Sequence, residues 1–214
     1  MKLLGTVAAV VAGLAAAPAW AGGMQYDTDL AKALGISEIR AGIMMDDVEL
    51  YSRVPIWFVP QPDTFHTENI DTFSADVVFN TPDLSGFLNK PDLGWFNWVI
   101  NPRPTLGFDL NFKHESVVHA SLNWHVPIGD TGIFIEPEVG GSLNNAVLDA
   151  TTRPPGWRDV GCNALVYWAL NIGYQIDEHW NIMATEQHSS HDGLCGWVHN
   201  QGINYEGIRI GYKF

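Results

Sequence analysis

The chain has 214 residues, with 24 acidic against 11 basic side chains and a formal net charge of −13 at pH 7. That balance excludes bulk electrostatic attraction to nucleic acid and offers no broad cationic face to an anionic membrane. No internal apolar stretch approaches the ~20 residues of a spanning helix, so any membrane role falls to a β-barrel.

In chain order, residues 1–21 read as a secretory signal peptide. Lys2 precedes an apolar run from Leu3 to Ala17, and Ala19-Trp20-Ala21 fits an A-x-A cleavage site. Residues 22–214 are then expected to form one domain. In an exported chain, the two cysteines, Cys162 and Cys195, are expected to form a disulfide.

An alternating segment of about ten residues recurs along the domain, as in membrane β-barrels. In Ile36–Asp46, Ile39, Ala41, Ile43 and Met45 oppose Glu38, Arg40 and Gly42. Ile70–Asn80 and Thr105–Phe112 set Phe73, Val77, Leu106 and Leu110 against Thr72, Asp76, Gly107 and Asp109. Val118–Val126 opposes Leu122 and Trp124 to His119 and Asn123, and Gly132–Ser142 does the same despite Pro137, which weakens a strand. Cys162–Ile176, Trp180–Ser190 and the terminal run to Phe214 complete eight strands, the smallest closed membrane barrel.

A soluble sandwich or lipocalin-like barrel also alternates. Two features favour an all-β, eight-stranded antiparallel transmembrane barrel of the bacterial outer membrane. Trp124, Trp168, Trp180, Tyr212 and Phe214 sit on the apolar face near strand ends, as interfacial girdles do. The opposite face is consistently polar or Gly, as a narrow lumen requires. With an even strand count, both termini share the inner side. Asp47–Asn69, Lys113–Glu115, Asn144–Gly161 and His191–Gln201 are then the outer connections, which places both cysteines at the outer rim.

The stretch Glu186–Phe214 carries the candidate chemistry. His188 and Ser190 lie two apart, on one face of a strand. Eight residues separate Trp180 from His188 and eight separate Glu206 from Phe214. At ~3.3 Å per residue and a tilt near 40°, both lie roughly 20 Å above the inner girdle. The ester carbonyls of an outer-leaflet lipid lie at that level. A serine hydroxyl becomes a nucleophile when a histidine takes its proton and a third group fixes the ring. Asn204 or Glu206 on the neighbouring strand can supply that third group, and the pattern leaves the choice open. The competing reading is a set of interfacial polar residues, for which the cost near a barrel rim is about 0–1 kcal/mol. Zinc is disfavoured: among His188, His191, Cys195 and His199, the first two have opposite parity and Cys195 has a disulfide partner to hand.

At these residues the sequence resembles the outer-membrane lipid A 3-O-deacylases (PagL-type, acyloxyacyl hydrolases). The resemblance is carried by His188-Ser189-Ser190-His191-Asp192-Gly193, by Asn200-Gln201-Gly202-Ile203-Asn204 and by Gly211-Tyr212-Lys213-Phe214. Glu38–Gly42, Arg103–Gly107 and Gly173-Tyr174 add weaker support. The resemblance implies a serine esterase that removes the ester-linked 3-O-acyl chain of lipid A, with His188 as base, Ser190 as nucleophile, and Asn200 with the backbone around Gly193 as oxyanion donors. It implies no cofactor. It implies lipopolysaccharide as substrate in the bacterial outer membrane, and the barrel-assembly machinery as a partner of the C-terminal strand. A homodimer is left open. Three departures stand out: Asn204 where the best-known members have Glu, His191 for Asn, and Asp192 for Ala. They motivate a rival, a non-catalytic structural or adhesive barrel with a decayed site. A third class, an acyltransferase of the same leaflet, differs only in whether phospholipid is consumed in the reaction.

Overall fold

The computed structural model describes residues 24–46, 70–82, 101–148, 151–152, 154–196 and 201–214. The expected signal sequence, the Asp47–Asn69 connection and most of Thr81–Pro104 lie outside them. A helix, α1 (Met24–Ala33), precedes the strands β1 (Ile36–Asp46), β2 (Ile70–Phe79), β3 (Arg103–Asn111), β4 (Val117–Asn123), β5 (Val126–Pro127), β6 (Ile133–Asn144), β7 (Ala164–Gln175), β8 (Trp180–Ser190) and β9 (Ile203–Lys213). Every pairing is antiparallel, and most join strands that follow one another in the chain. β1 pairs with β9, and β4 with β6, so the sheet closes. Closure gives each strand two partners and satisfies the backbone without water, the condition a lipid environment imposes.

Nine segments make eight strands because β4 and β5 are one strand, read across an interruption. Asn123 lies opposite Glu138 and Val126 opposite Ile135, so the register runs through without a shift. The break falls opposite Pro137, which has no N–H to contribute to the ladder. Its carbonyl still accepts from the Trp124 N–H at 3.0 Å. The expected weakening by Pro137 therefore falls on the facing strand; β6 itself is continuous.

Parity follows the sequence. On β8, Ile182 is 40% exposed and Met183 1%, and the same contrast separates outward Leu106, Leu122 and Ile208 from inward Thr105, Ser121 and Arg209. The outer wall is apolar and the lumen is filled by charge. Glu38 binds Arg40 through both carboxylate oxygens at 2.9 Å. Glu136 then receives Arg40 at 2.6 Å, Arg103 at 2.5 Å and His125 at 2.6 Å. Higher in the barrel, Arg209 reaches Asp76 at 2.7 Å and Ser74 at 2.6 Å, and His119 stacks on Tyr167 with centroids 4.2 Å apart. These groups come from β1, β2, β3, β4, β6, β7 and β9, so they tie the wall together across its interior. Girdle aromatics close the inner end: Tyr212 packs edge-on against Trp180 at 4.9 Å and against Phe214 at 5.3 Å.

Removing one partner of a buried ion pair strands the other charge, at about 3–5 kcal/mol. Arg209→Met should therefore lower the denaturant midpoint of the detergent-solubilised barrel, with loss of roughly that much stability in equilibrium unfolding. In the inner turn between β7 and β8, the N–H groups of Trp180 and His179 donate to Asp177 and hold its carboxyl below its usual range. A depressed carboxyl contributes stability above its ordinary value of 3.8 and loses it as pH falls. Exchange of the His179 and Trp180 amides should accelerate below that pH.

Candidate active site

β8 turns His188 and Ser190 to the outer wall and sends Gln187 and Ser189 inward. Ser189 hydrogen-bonds across the lumen to Ser142 at 3.0 Å. Of the two serines after His188, only Ser190 therefore shares its face. The expected outward orientation is what the strand adopts.

His188 lies opposite Asn204 on β9 and opposite Trp168 on β7. Its Nδ1 is 2.6 Å from Asn204 Oδ1. An amide oxygen only accepts, so Nδ1 is the donor in this bond, and in the neutral ring that leaves the lone pair on Nε2. That is the tautomer a general base requires. Trp168 flanks the ring at 5.5 Å between centroids. Glu206, the other candidate for this role, faces Glu186 one rung deeper in the wall.

The ring has room because of Gly202. A Cβ there would fall 2.8 Å from His188 Cε1, and the residue sits at φ +70°. Glycine is needed both for space and for the left-handed backbone. Neither Gly202 nor Trp168 stands out in the sequence pattern. The only trace of Gly202 is its place in the Asn-Gln-Gly-Ile-Asn run, and Trp168 reads as part of an interfacial girdle.

The turn after β8 is built on left-handed residues, Asp192 at φ 45° and Gly193 at φ 81°. The Gly193 N–H donates to His191 Nδ1 at 2.9 Å, so this amide is already engaged in the resting structure. The second oxyanion candidate, Asn200, lies outside the described residues. Cys162 and Cys195 form a disulfide, with Cα atoms 6.2 Å apart, that fastens this turn to the residues preceding β7.

A family model, lipid A 3-O-deacylase (PagL), matches residues 77–213. No curated protein matches the sequence. Among solved structures, the outer membrane enzyme PagL aligns over 83% of this chain and 100% of its own, at 10% identity and a TM-score of 0.50. The N-terminal β-barrel domain of Pseudomonas aeruginosa OprF aligns over 84% and 98%, at 9% identity and a TM-score of 0.48. At 10% identity the likeness to PagL speaks to the barrel alone.

Gly202→Ala tests the local geometry. An alanine in the left-handed region costs about 1–2 kcal/mol, and its methyl would push the His188 ring away from β9. In a structure of the variant, Nδ1 should stand beyond hydrogen-bonding reach of Asn204 Oδ1, with the barrel intact.

Proposed function

The chain belongs to the PagL family of lipid A 3-O-deacylases, and from that premise we propose that it is an outer-membrane serine esterase that releases the 3-O-acyl chain of lipid A. The observation that carries this reading is the pairing of His188 Nδ1 with Asn204 Oδ1 on the outer wall, on the face that also bears Ser190. Nε2 is thereby the basic nitrogen, on a surface that acyl chains contact.

In the mechanism we propose, His188 Nε2 takes the Ser190 proton as Oγ attacks the ester carbonyl. Asn200 and an amide of the 193 turn stabilise the oxyanion, each such donor being worth on the order of 10²–10³ in rate. For Gly193 this means that His191 gives up the N–H as the oxyanion forms. Collapse breaks the ester C–O bond, and His188 returns its proton to the departing sugar oxygen. A water molecule, deprotonated by His188, then hydrolyses the acyl-serine. No step calls for a cofactor. The apolar wall beside the site receives the acyl chain, and the outer-leaflet height of His188 matches the depth of the ester.

Asn204 is the residue we assign to orient His188. As a neutral partner it stabilises the imidazolium less than a carboxylate does. A hydrogen bond to a charged group is worth about 1 kcal/mol more than a neutral one, or about five- to tenfold in rate.

The His191–Gly193 bond is also what a decayed site would retain, and it keeps the non-catalytic barrel as the second reading. Mass spectra of lipid A from cells expressing the protein separate the two. The esterase reading expects loss of one hydroxyacyl mass with wild type, and a drop on the order of 10³-fold or more in Ser190→Ala and His188→Ala. Unchanged lipid A with folded wild-type barrel supports the scaffold. Asn204→Glu should raise the turnover number about five- to tenfold in assays of the purified enzyme.

A further inference from the structure

We infer that Arg158, in the outer connection between β6 and β7, is a positioning residue for His188. The inference rests on the reading of His188 as the base. Arg158 is 9% exposed, far from the ordinary state of a loop arginine. One arm of its guanidinium, Nη2, binds Asp46 Oδ1 at 2.9 Å, at the outer end of β1. The other arm, Nη1, donates to the Gly202 carbonyl at 3.2 Å. Asp46 is held in turn by His114 at 2.7 Å and by Asn111 at 3.2 Å.

The bond to Gly202 is the consequential one. This residue leaves the space that the His188 ring fills, and two residues later β9, which begins at Ile203, presents Asn204 to Nδ1. Arg158 thus fixes the backbone that supplies both the support for the ring and its hydrogen-bond acceptor. Its neighbour reinforces the grip: the Gln201 N–H donates to the Asp159 carbonyl at 2.9 Å, and the Asp159 N–H donates to Gln201 Oε1 at 2.7 Å. A few residues on, the Cys162–Cys195 disulfide fastens the same connection to the turn after β8. The outer connection therefore clasps both strands that carry the site.

The guanidinium suits this post because its planar fork serves two acceptors at once, where an ammonium offers a single point charge. A lysine here would hold Asp46 or the Gly202 carbonyl, with less control over both.

The test uses the full-length barrel in detergent micelles, with nitrogen-15-labelled histidine. The His188 Nδ1–H resonance reads the ring's bond to Asn204 without any substrate, and ester hydrolysis is followed in parallel. In folded Arg158→Met we expect the resonance to shift or broaden away, with kcat at least tenfold lower and KM within about twofold of wild type. Arg158→Lys should restore part of both. If Arg158→Met does not fold, Asp46→Asn loosens the same arm and should give an intermediate loss. A His188 resonance and a kcat unchanged in the folded variants overturn the inference. Should wild type hydrolyse no ester, the esterase reading fails by itself, and the resonance alone decides whether Arg158 holds His188.

Discussion

Side-chain parity in a closed sheet governs this molecule. Each strand residue faces either hydrocarbon or a crowded, polar lumen, and a shift of one residue exchanges the two sets. The lumen enforces the choice. Arg40, Arg209, Glu136 and Asp76 are each buried with opposite charges in reach, and turning any of their strands over would put an unpaired charge into lipid. Buried ion pairs are poor sources of net stability but costly to break. Here their effect is selective: one pairing of the strands satisfies them.

The same rule explains what could be read from the residues alone. Alternation located all eight strands and the outward face of His188 and Ser190, because parity is a local property of a strand. The disulfide was legible from two cysteines placed at one rim. The break after Asn123 was not, since it arises from Pro137 on the facing strand. Nor was the clasp by Arg158, whose partners Asp46 and Gly202 lie 112 and 44 positions away in sequence. Bonds of that range depend on how loops fold over the mouth, and loop composition carries little record of it. The engagement of the Gly193 amide by His191 was hidden for a related reason: it depends on the left-handed turn at Asp192 and Gly193.

The choice between Asn204 and Glu206 was open for a different reason. Both sit on the outer face of β9, two residues apart, and parity does not distinguish them. What distinguishes them is the register of β8 against β9. With His188 opposite Asn204, Glu186 falls opposite Glu206, two carboxyls that cannot both ionise without repulsion across the sheet. A slip of two residues would keep every side chain on its own face, set His188 against Glu206 and relieve that repulsion. Considered at the outer wall alone, the slipped register looks better.

The lumen and the inner girdle decide against it. In the observed register, the Asn181 carboxamide occupies the space left open at Gly211 and donates to Glu38 at 2.9 Å. Trp180 meets Tyr212 edge to face at 4.9 Å. A two-residue slip would carry Asn181 opposite Lys213, leave Glu38 without that donor, and bring the larger Met183 side chain against Gly211. The outer wall then has to accept the Glu186–Glu206 rung as a consequence of interior packing. The neutral partner of His188 was thus set about 25 Å away along the strand, by residues that make no contact with the His188 ring.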